Sequence, residues 1–201
     1  YDEALKQAVS YLLDRFDLLG ITACGTIIRG TPDACSDLDM YVINGKPFRQ
    51  RVQRFFNRVP AELFINPHHQ IRKYFSQERA DSRPMTAHMI ATGFVMYDPE
   101  GLFGKLQAEA HSILSQTPEP LPNVTQKRYD IALLYEDAMD VIERDHHTAR
   151  LSLNNTLWAL IDFYFVAKPA YLPRTKDILL ELNRCDAYLH RMVLSALNAS
   201  N

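Results

Sequence analysis

The chain reads as an α/β (α+β) protein: a mixed sheet flanked by helices, followed by a C-terminal helical bundle. Three observations predict this. Two apolar runs, 21–28 and 37–43, are separated by a polar loop carrying Gly30 and Pro32. Thr117-Pro118-Glu119-Pro120-Leu121-Pro122 places three prolines in six residues, which cannot continue a helix and reads as a linker. Beyond that segment the chain reads as helical throughout. The expected domains are therefore 1–117 and 118–201.

The elements follow in order. Residues 2–19 carry Leu5, Val9, Leu12, Leu13 and Phe16 on one side of a helix, and Gly20 is expected to stop it. Residues 21–28 read as a strand entering a turn at Gly25-Thr26. Residues 37–43 read as a buried strand, closed by the turn signal Asn44-Gly45. Phe48, Val52, Phe55 and Phe56 recur at helical spacing, so 47–58 is predicted as a helix with Pro47 in its first turn. A short strand at 61–65 ends at Asn66-Pro67. Helices are expected at 68–80, 84–92 and about 100–115, with a last strand at 94–98. The bundle is expected as helices 123–147, 149–167 and 175–198, the last two broken apart by Pro169 and Pro173.

Composition narrows the classes. The 201 residues are 47% hydrophobic and 23% charged, ordinary for a globular protein. No apolar run reaches the roughly 18 residues that span a bilayer. Residues 1–6 show no signal-peptide pattern, although the first residue is not Met. Three cysteines without metal-like spacing argue for a reducing compartment, and the cytoplasm is the expected location. Split at Pro118, the first part has 13 basic against 13 acidic residues and the second 9 against 11. Neither has the positive balance of a dedicated nucleic-acid binder, and neither a nucleic-acid nor a membrane partner is expected.

The chemistry concentrates at Asp37 and Asp39. Alternate residues of a strand point the same way, so both carboxylates leave one face while Leu38 and Met40 leave the other. Asp is disfavoured in strands, and two adjacent like charges are costly unless a cation neutralises them. A hard divalent ion such as Mg²⁺ takes oxygen ligands and leaves some coordination for phosphate. Backbone N–H groups at the Gly25-Thr26 turn can serve a phosphate just upstream.

Cys24-Gly25-Thr26, then the loop to Ser36, then Asp37-Leu38-Asp39-Met40 resembles the signature of the nucleotidyltransferase superfamily related to DNA polymerase β. Thr26 stands where Ser or Gly is usual. The resemblance covers 20–66 specifically and the rest only in layout. It resembles the members that modify small molecules, aminoglycosides among them, and the minimal ones. It implies a nucleotidyltransferase domain at 1–117 and a helical substrate or dimerisation domain at 118–201, with substrate held between them. It also implies a third carboxylate on a neighbouring strand, and Glu62 at the start of the 61–65 strand fills that place, as metal ligand or as general base. Asp37, Asp39 and Glu62 are the expected catalytic and metal residues. Gly25, Thr26, Arg29 and Ser36 are expected to hold the phosphates. Lys176, in Tyr171-Leu172-Pro173-Arg174-Thr175-Lys176, is a further candidate, matching a tyrosine-proline-lysine stretch of some members.

The implied activity is transfer of a nucleoside monophosphate, AMP in first place, from an NTP to a hydroxyl of a small molecule such as an antibiotic, or of a protein, with release of pyrophosphate. Mg²⁺, or Mn²⁺ in its place, and ATP are the expected cofactor and donor. A homodimer is compatible with this. The alternative is a non-catalytic nucleotide-binding or antitoxin-like module. Glu136, Asp140 and Glu143 on one helical stripe, and Arg51, Arg54 and Arg58 on another, read as solvated faces. His68-His69 and His146-His147 read as surface pairs, because neighbouring helical side chains diverge.

Overall fold

The structure is a computed structural model that describes residues 1–118, 123–168 and 170–199. The linker positions 119–122 and the break at Pro169 lie outside the described residues. The chain divides into two compact units. One comprises Tyr1–Arg79 and Pro84–Gln116, the other Ala80–Arg83 and Thr117–Asn201.

The first unit is built on a five-stranded mixed sheet of order β3-β4-β2-β1-β5. The strands are β1 (Leu18–Cys24), β2 (Leu38–Asn44), β3 (Gln50–Phe56), β4 (Val59–Asn66) and β5 (Phe94–Tyr97). β2 lies antiparallel to β1 and parallel to β4, and β3 and β5 are the edges. On one face Leu38, Met40, Val42, Leu63 and Ile65 pack with Ala4, Ala8 and Leu12 of helix α1 (Asp2–Arg15). On the other, Tyr41 and Ile43 join buried residues of three helices. These are α3 (His68–Ala80), α4 (Met85–Ala91) and α5 (Leu102–Ser115). The two-residue period of β2 therefore sends Asp37 and Asp39 to the Tyr41 side.

Several boundaries differ from the sequence reading. α1 ends at Arg15, and Gly20 lies inside β1 rather than stopping a helix. A Cβ at Gly20 would stand 2.7 Å from the Phe103 ring, so close helix–sheet packing explains that glycine. β1 stops at Cys24, and 25–28 form one helical turn, α2 (Gly25–Ile28). The largest departure is 47–58, which is not a helix. Asn57 and Arg58 both take left-handed φ values, 44° and 64°, between the paired residues Phe56 and Val59. Two left-handed residues make the tight hairpin turn whose twist suits antiparallel strands. In β3, Val52 and Phe56 then reach the α1 core at a spacing that a helix would also satisfy.

The second unit contains α6 (Val124–Val141), α7 (His146–Val166), a 3-10 turn (Thr175–Asp177), α8 (Ile178–Cys185) and α9 (Ala187–Asn198). α7 starts earlier than 149 because Asp145 caps it, accepting from the N–H groups of His147 (3.1 Å) and Thr148 (3.0 Å). The stretch 175–198 is not one helix, because Asp186 caps α9 through the N–H of Leu189 at 2.9 Å. Arg83 and Lys127 both pair with Asp162 within this unit. Among the described residues no helix is long and apolar enough to cross a membrane.

Leu63 is fully buried one residue from Glu62, so it tests how firmly the core holds β4. Leu63→Ala is expected to destabilise by about 2–5 kcal/mol. Leu63→Met is expected to stay below about 1.5 kcal/mol. Urea denaturation of both variants checks the difference.

Candidate metal centre

β2 and β4 run parallel with Asp39 opposite Glu62 and Tyr41 opposite Phe64. This register carries Glu62 to the side of the sheet from which Asp37 and Asp39 project. One carboxylate oxygen from each of the three lies within 4.8 Å of the others. All three residues are half-buried. Hard oxygen donors at that spacing suit Mg²⁺ or Mn²⁺ and not a soft-ligand metal.

Two side chains that the sequence reading left aside complete the cluster. Arg51 Nε donates to Glu62 Oε1, and Gln53 Nε2 donates to the same oxygen at 3.0 Å. Arg51 pairs opposite Phe64 and Gln53 opposite Glu62, so both leave β3 on the carboxylate face. The Arg51 guanidinium, with help from Gln53, holds the Glu62 carboxyl below the usual carboxylate range. Glu62 is thus ionised at neutral pH and is a weak proton acceptor. Arg51 is exposed, as expected for a solvated face shared with Arg54 and Arg58, but it lies on a strand and pairs with Glu62. The signal for it was the Asn57-Arg58 hairpin, which turns a helical stripe into a strand with a two-residue period.

Gly25 sits against Asp39. Its φ is +86°, and a Cβ there would stand 2.6 Å from Asp39 Oδ2. Any other residue at this position would be strained and would displace that carboxylate. Beneath it the buried Cys24 thiol reaches the Asp39 backbone oxygen at 3.5 Å. Burial, reinforced by the charge of Asp39, pushes the thiol far above its ordinary range, so it adds no charge here.

Thr26 and Ser36 are brought together, 2.9 Å between hydroxyl oxygens. The Ser36 hydroxyl donates to Asp33 Oδ1 at 2.9 Å and accepts the Asp33 N–H at 2.8 Å. Its one proton is committed, so Thr26 is the donor between the two. Both hydroxyls therefore fasten the loop 31–36. Arg29 ends α2, is exposed, and has no ion pair among the described residues. Lys176 belongs to the second unit, where it lines a cavity of about 470 Å³ with Trp158 and Leu197. Glu136, Asp140 and Glu143 are exposed, as are His69, His146 and His147. His68 departs from the surface reading: it is half-buried and its Nε2 is buried without a hydrogen-bond partner among the described residues.

No protein-family model matches the chain, and no curated protein matches it. Among solved structures, it is similar to a nucleotidyltransferase-like protein from Exiguobacterium sibiricum 255-15, at 11% identity and a TM-score of 0.53. The likeness covers 94% of this chain and 64% of that one. The fold is therefore nucleotidyltransferase-like, and it carries three carboxylates able to hold a metal ion.

Two measurements test this geometry. Gly25→Ala is expected to weaken Mn²⁺ binding, read by titration calorimetry, by tenfold or more. Because the Glu62 pKa is lowered on folding, its contribution is fully present above the unfolded value of 4.5 and fades as pH falls below it. In metal-free buffer the stability gap between wild type and Glu62→Gln should shrink between neutral pH and about pH 3. Arg51 is 63% exposed, so the gap should not exceed about 1 kcal/mol. A pH-independent gap would show that the Arg51–Glu62 pair does not form in solution.

Proposed function

We propose that this protein is a divalent-metal-dependent nucleotidyltransferase that moves a nucleoside monophosphate, AMP foremost, from an NTP to a hydroxyl. The observation that carries this reading is the carboxylate trio, Asp39 and Glu62 on paired parallel strands and Asp37 just before β2, in a nucleotidyltransferase-like sheet. In the reaction the acceptor hydroxyl oxygen forms a bond to the α-phosphorus. The bond from that phosphorus to the α–β bridging oxygen breaks. Pyrophosphate leaves with the bridging electrons, and the hydroxyl proton passes to solvent.

Asp37, Asp39 and Glu62 are the residues that would hold Mg²⁺ or Mn²⁺. When bound, the ion supplies positive charge that screens the phosphates and favours the ionised hydroxyl. The lowered pKa of Glu62 supports a metal-ligand role over a general-base role, because an efficient base titrates near the working pH. Gly25 keeps room for Asp39. The backbone N–H groups at 25–28 and the exposed guanidinium of Arg29 are proposed to meet the β- and γ-phosphates. Thr26 and Ser36 are proposed to shape that loop, since their hydroxyls already bond each other. Lys176 remains a proposed phosphate contact, and the helical unit a proposed acceptor or dimer element.

Asp37→Asn/Asp39→Asn is expected to abolish Mg²⁺-dependent stabilisation by NTP and to lower pyrophosphate release by about 10²–10³-fold. Wild type at an NTP concentration of 100 times Kd should gain about 2.7 kcal/mol, or about 5–11 °C in Tm. A chain that only binds nucleotide would show the stabilisation without pyrophosphate release. No Mg²⁺-dependent shift with any of the four NTPs would overturn the reading.

A further inference from the structure

A cavity of about 490 Å³ opens on the same sheet face as the carboxylates and shares a residue with them, Arg51. Its floor is Tyr41 stacked on Phe64, ring centroids 5.4 Å apart at 17°. Arg51 lies over Phe64, with its guanidinium carbon 5.3 Å from the ring centre. At the far end Arg49 lies over Tyr74 at 5.0 Å.

The cavity lining carries two arginines, Arg49 and Arg51, against one acid, Glu78. Its acid, Glu78, is engaged with Thr86, accepting the N–H at 2.6 Å and the hydroxyl at 2.7 Å. The Thr86 proton is thereby committed, so the Tyr41 hydroxyl is the donor in its 3.5 Å contact with Thr86. Burial pushes the Tyr41 phenol above its ordinary range, so the floor adds no negative charge. Arg51 faces Glu62. Arg49 pairs with no carboxylate among the described residues, and its contact with the Tyr74 ring places the guanidinium at the cavity wall. A planar fork held in this way is suited to bidentate capture of phosphate or carboxylate.

We propose that this cavity binds a small phosphomonoester, and that this compound is the hydroxyl acceptor. The acceptor part rests on the nucleotidyl-transfer reading above; the binding part does not. Arg49 takes the phosphate, and the aromatic floor carries the body of the molecule. Arg51 stands opposite Phe64, two residues along the strand from Glu62, and Arg49 lies beyond Gln50, which pairs with Ile65. At about 3.3 Å per residue, the phosphate then sits roughly 7–13 Å from the carboxylates. That is the span of a sugar phosphate or nucleoside monophosphate with its free hydroxyl at the metal. The cavity volume is in the range of small-molecule sites. A polycation of aminoglycoside type meets two arginines here and is disfavoured.

The test is equilibrium binding of ribose 5-phosphate and AMP, with ribose, adenosine and kanamycin as comparators. It uses wild type, Arg49→Gln, Arg49→Lys and Asp37→Asn/Asp39→Asn. At least one phosphomonoester should bind tenfold or more tightly than its uncharged parent. Arg49→Gln should remove that preference, Arg49→Lys should restore part of it, and the double Asn variant should keep it. The bound phosphomonoester should also raise MgNTP-dependent pyrophosphate release and be recovered carrying the nucleotidyl group. Equal binding of charged and uncharged parents, or tighter binding of kanamycin unaffected by Arg49→Gln, overturns the proposal even if pyrophosphate is released. Arg49-dependent phosphomonoester binding without pyrophosphate release from any NTP upholds the anion site and overturns the transfer reading instead.

Discussion

Everything at the candidate site depends on holding like charges together. Parallel pairing of β2 with β4 sets Glu62 beside Asp39, and the polar loop delivers Asp37 to the same place. Three carboxylates in so small a space repel, and nothing local to those residues favours the arrangement. The cores on either side of the sheet impose it. Leu38, Met40, Val42, Leu63 and Ile65 are all essentially buried, at about 1.5–3 kcal/mol each. That outweighs the repulsion of half-exposed carboxylates and fixes the register, because a one-residue slip would carry every side chain of a strand to the opposite face, into a core shaped for other residues. Arg51 then lowers the remaining cost from the edge strand.

How much of this was legible depended on where the physics was local. Asp37 and Asp39 could be read because their alternation with Leu38 and Met40 is a property of one strand. Glu62 could be read only conditionally, since its role needs a partner strand that no local pattern specifies; the register supplies it. Arg51 and Gln53 were lost together with β3. Phe48, Val52, Phe55 and Phe56 satisfy a helical period, and only the pairing of Phe56 with Val59 across the Asn57-Arg58 turn decides against it. Gly20 was misread for a related reason. A glycine after an amphipathic helix looks like a stop, whereas here it admits the Phe103 ring, which arrives from more than eighty residues away. Two caps also went unread: Asp145 and Asp186 each start a helix inside what the sequence showed as continuous periodicity.

The likeness to the Exiguobacterium protein at 11% identity fits this division. What a sheet of this kind requires is a pattern of apolar alternation and a fixed register, and many sequences meet those requirements. Side chains at the edge strand and in the cavity are under no such fold-level constraint. They are where a particular chain sets its own chemistry, and the fold likeness is silent about them.

Arg51 shows how closely the two kinds of constraint meet. Its Nε engages Glu62 while its guanidinium plane lies over Phe64, the residue that also stacks on Tyr41. A lysine ammonium could supply the charge but not the plane, since it has no flat face to lay on a ring while donating along its edge. The acid cluster and the cavity floor are thus joined through one side chain on β3, two residues along β4 from one another. A change in the charge state or occupancy of Glu62 is felt at once by the group that borders the cavity. The edge strand is therefore not a mere margin of the sheet: through Arg51 it carries the positive charge that makes three neighbouring carboxylates tolerable, and the residue just before the strand, Arg49, lines the adjoining cavity.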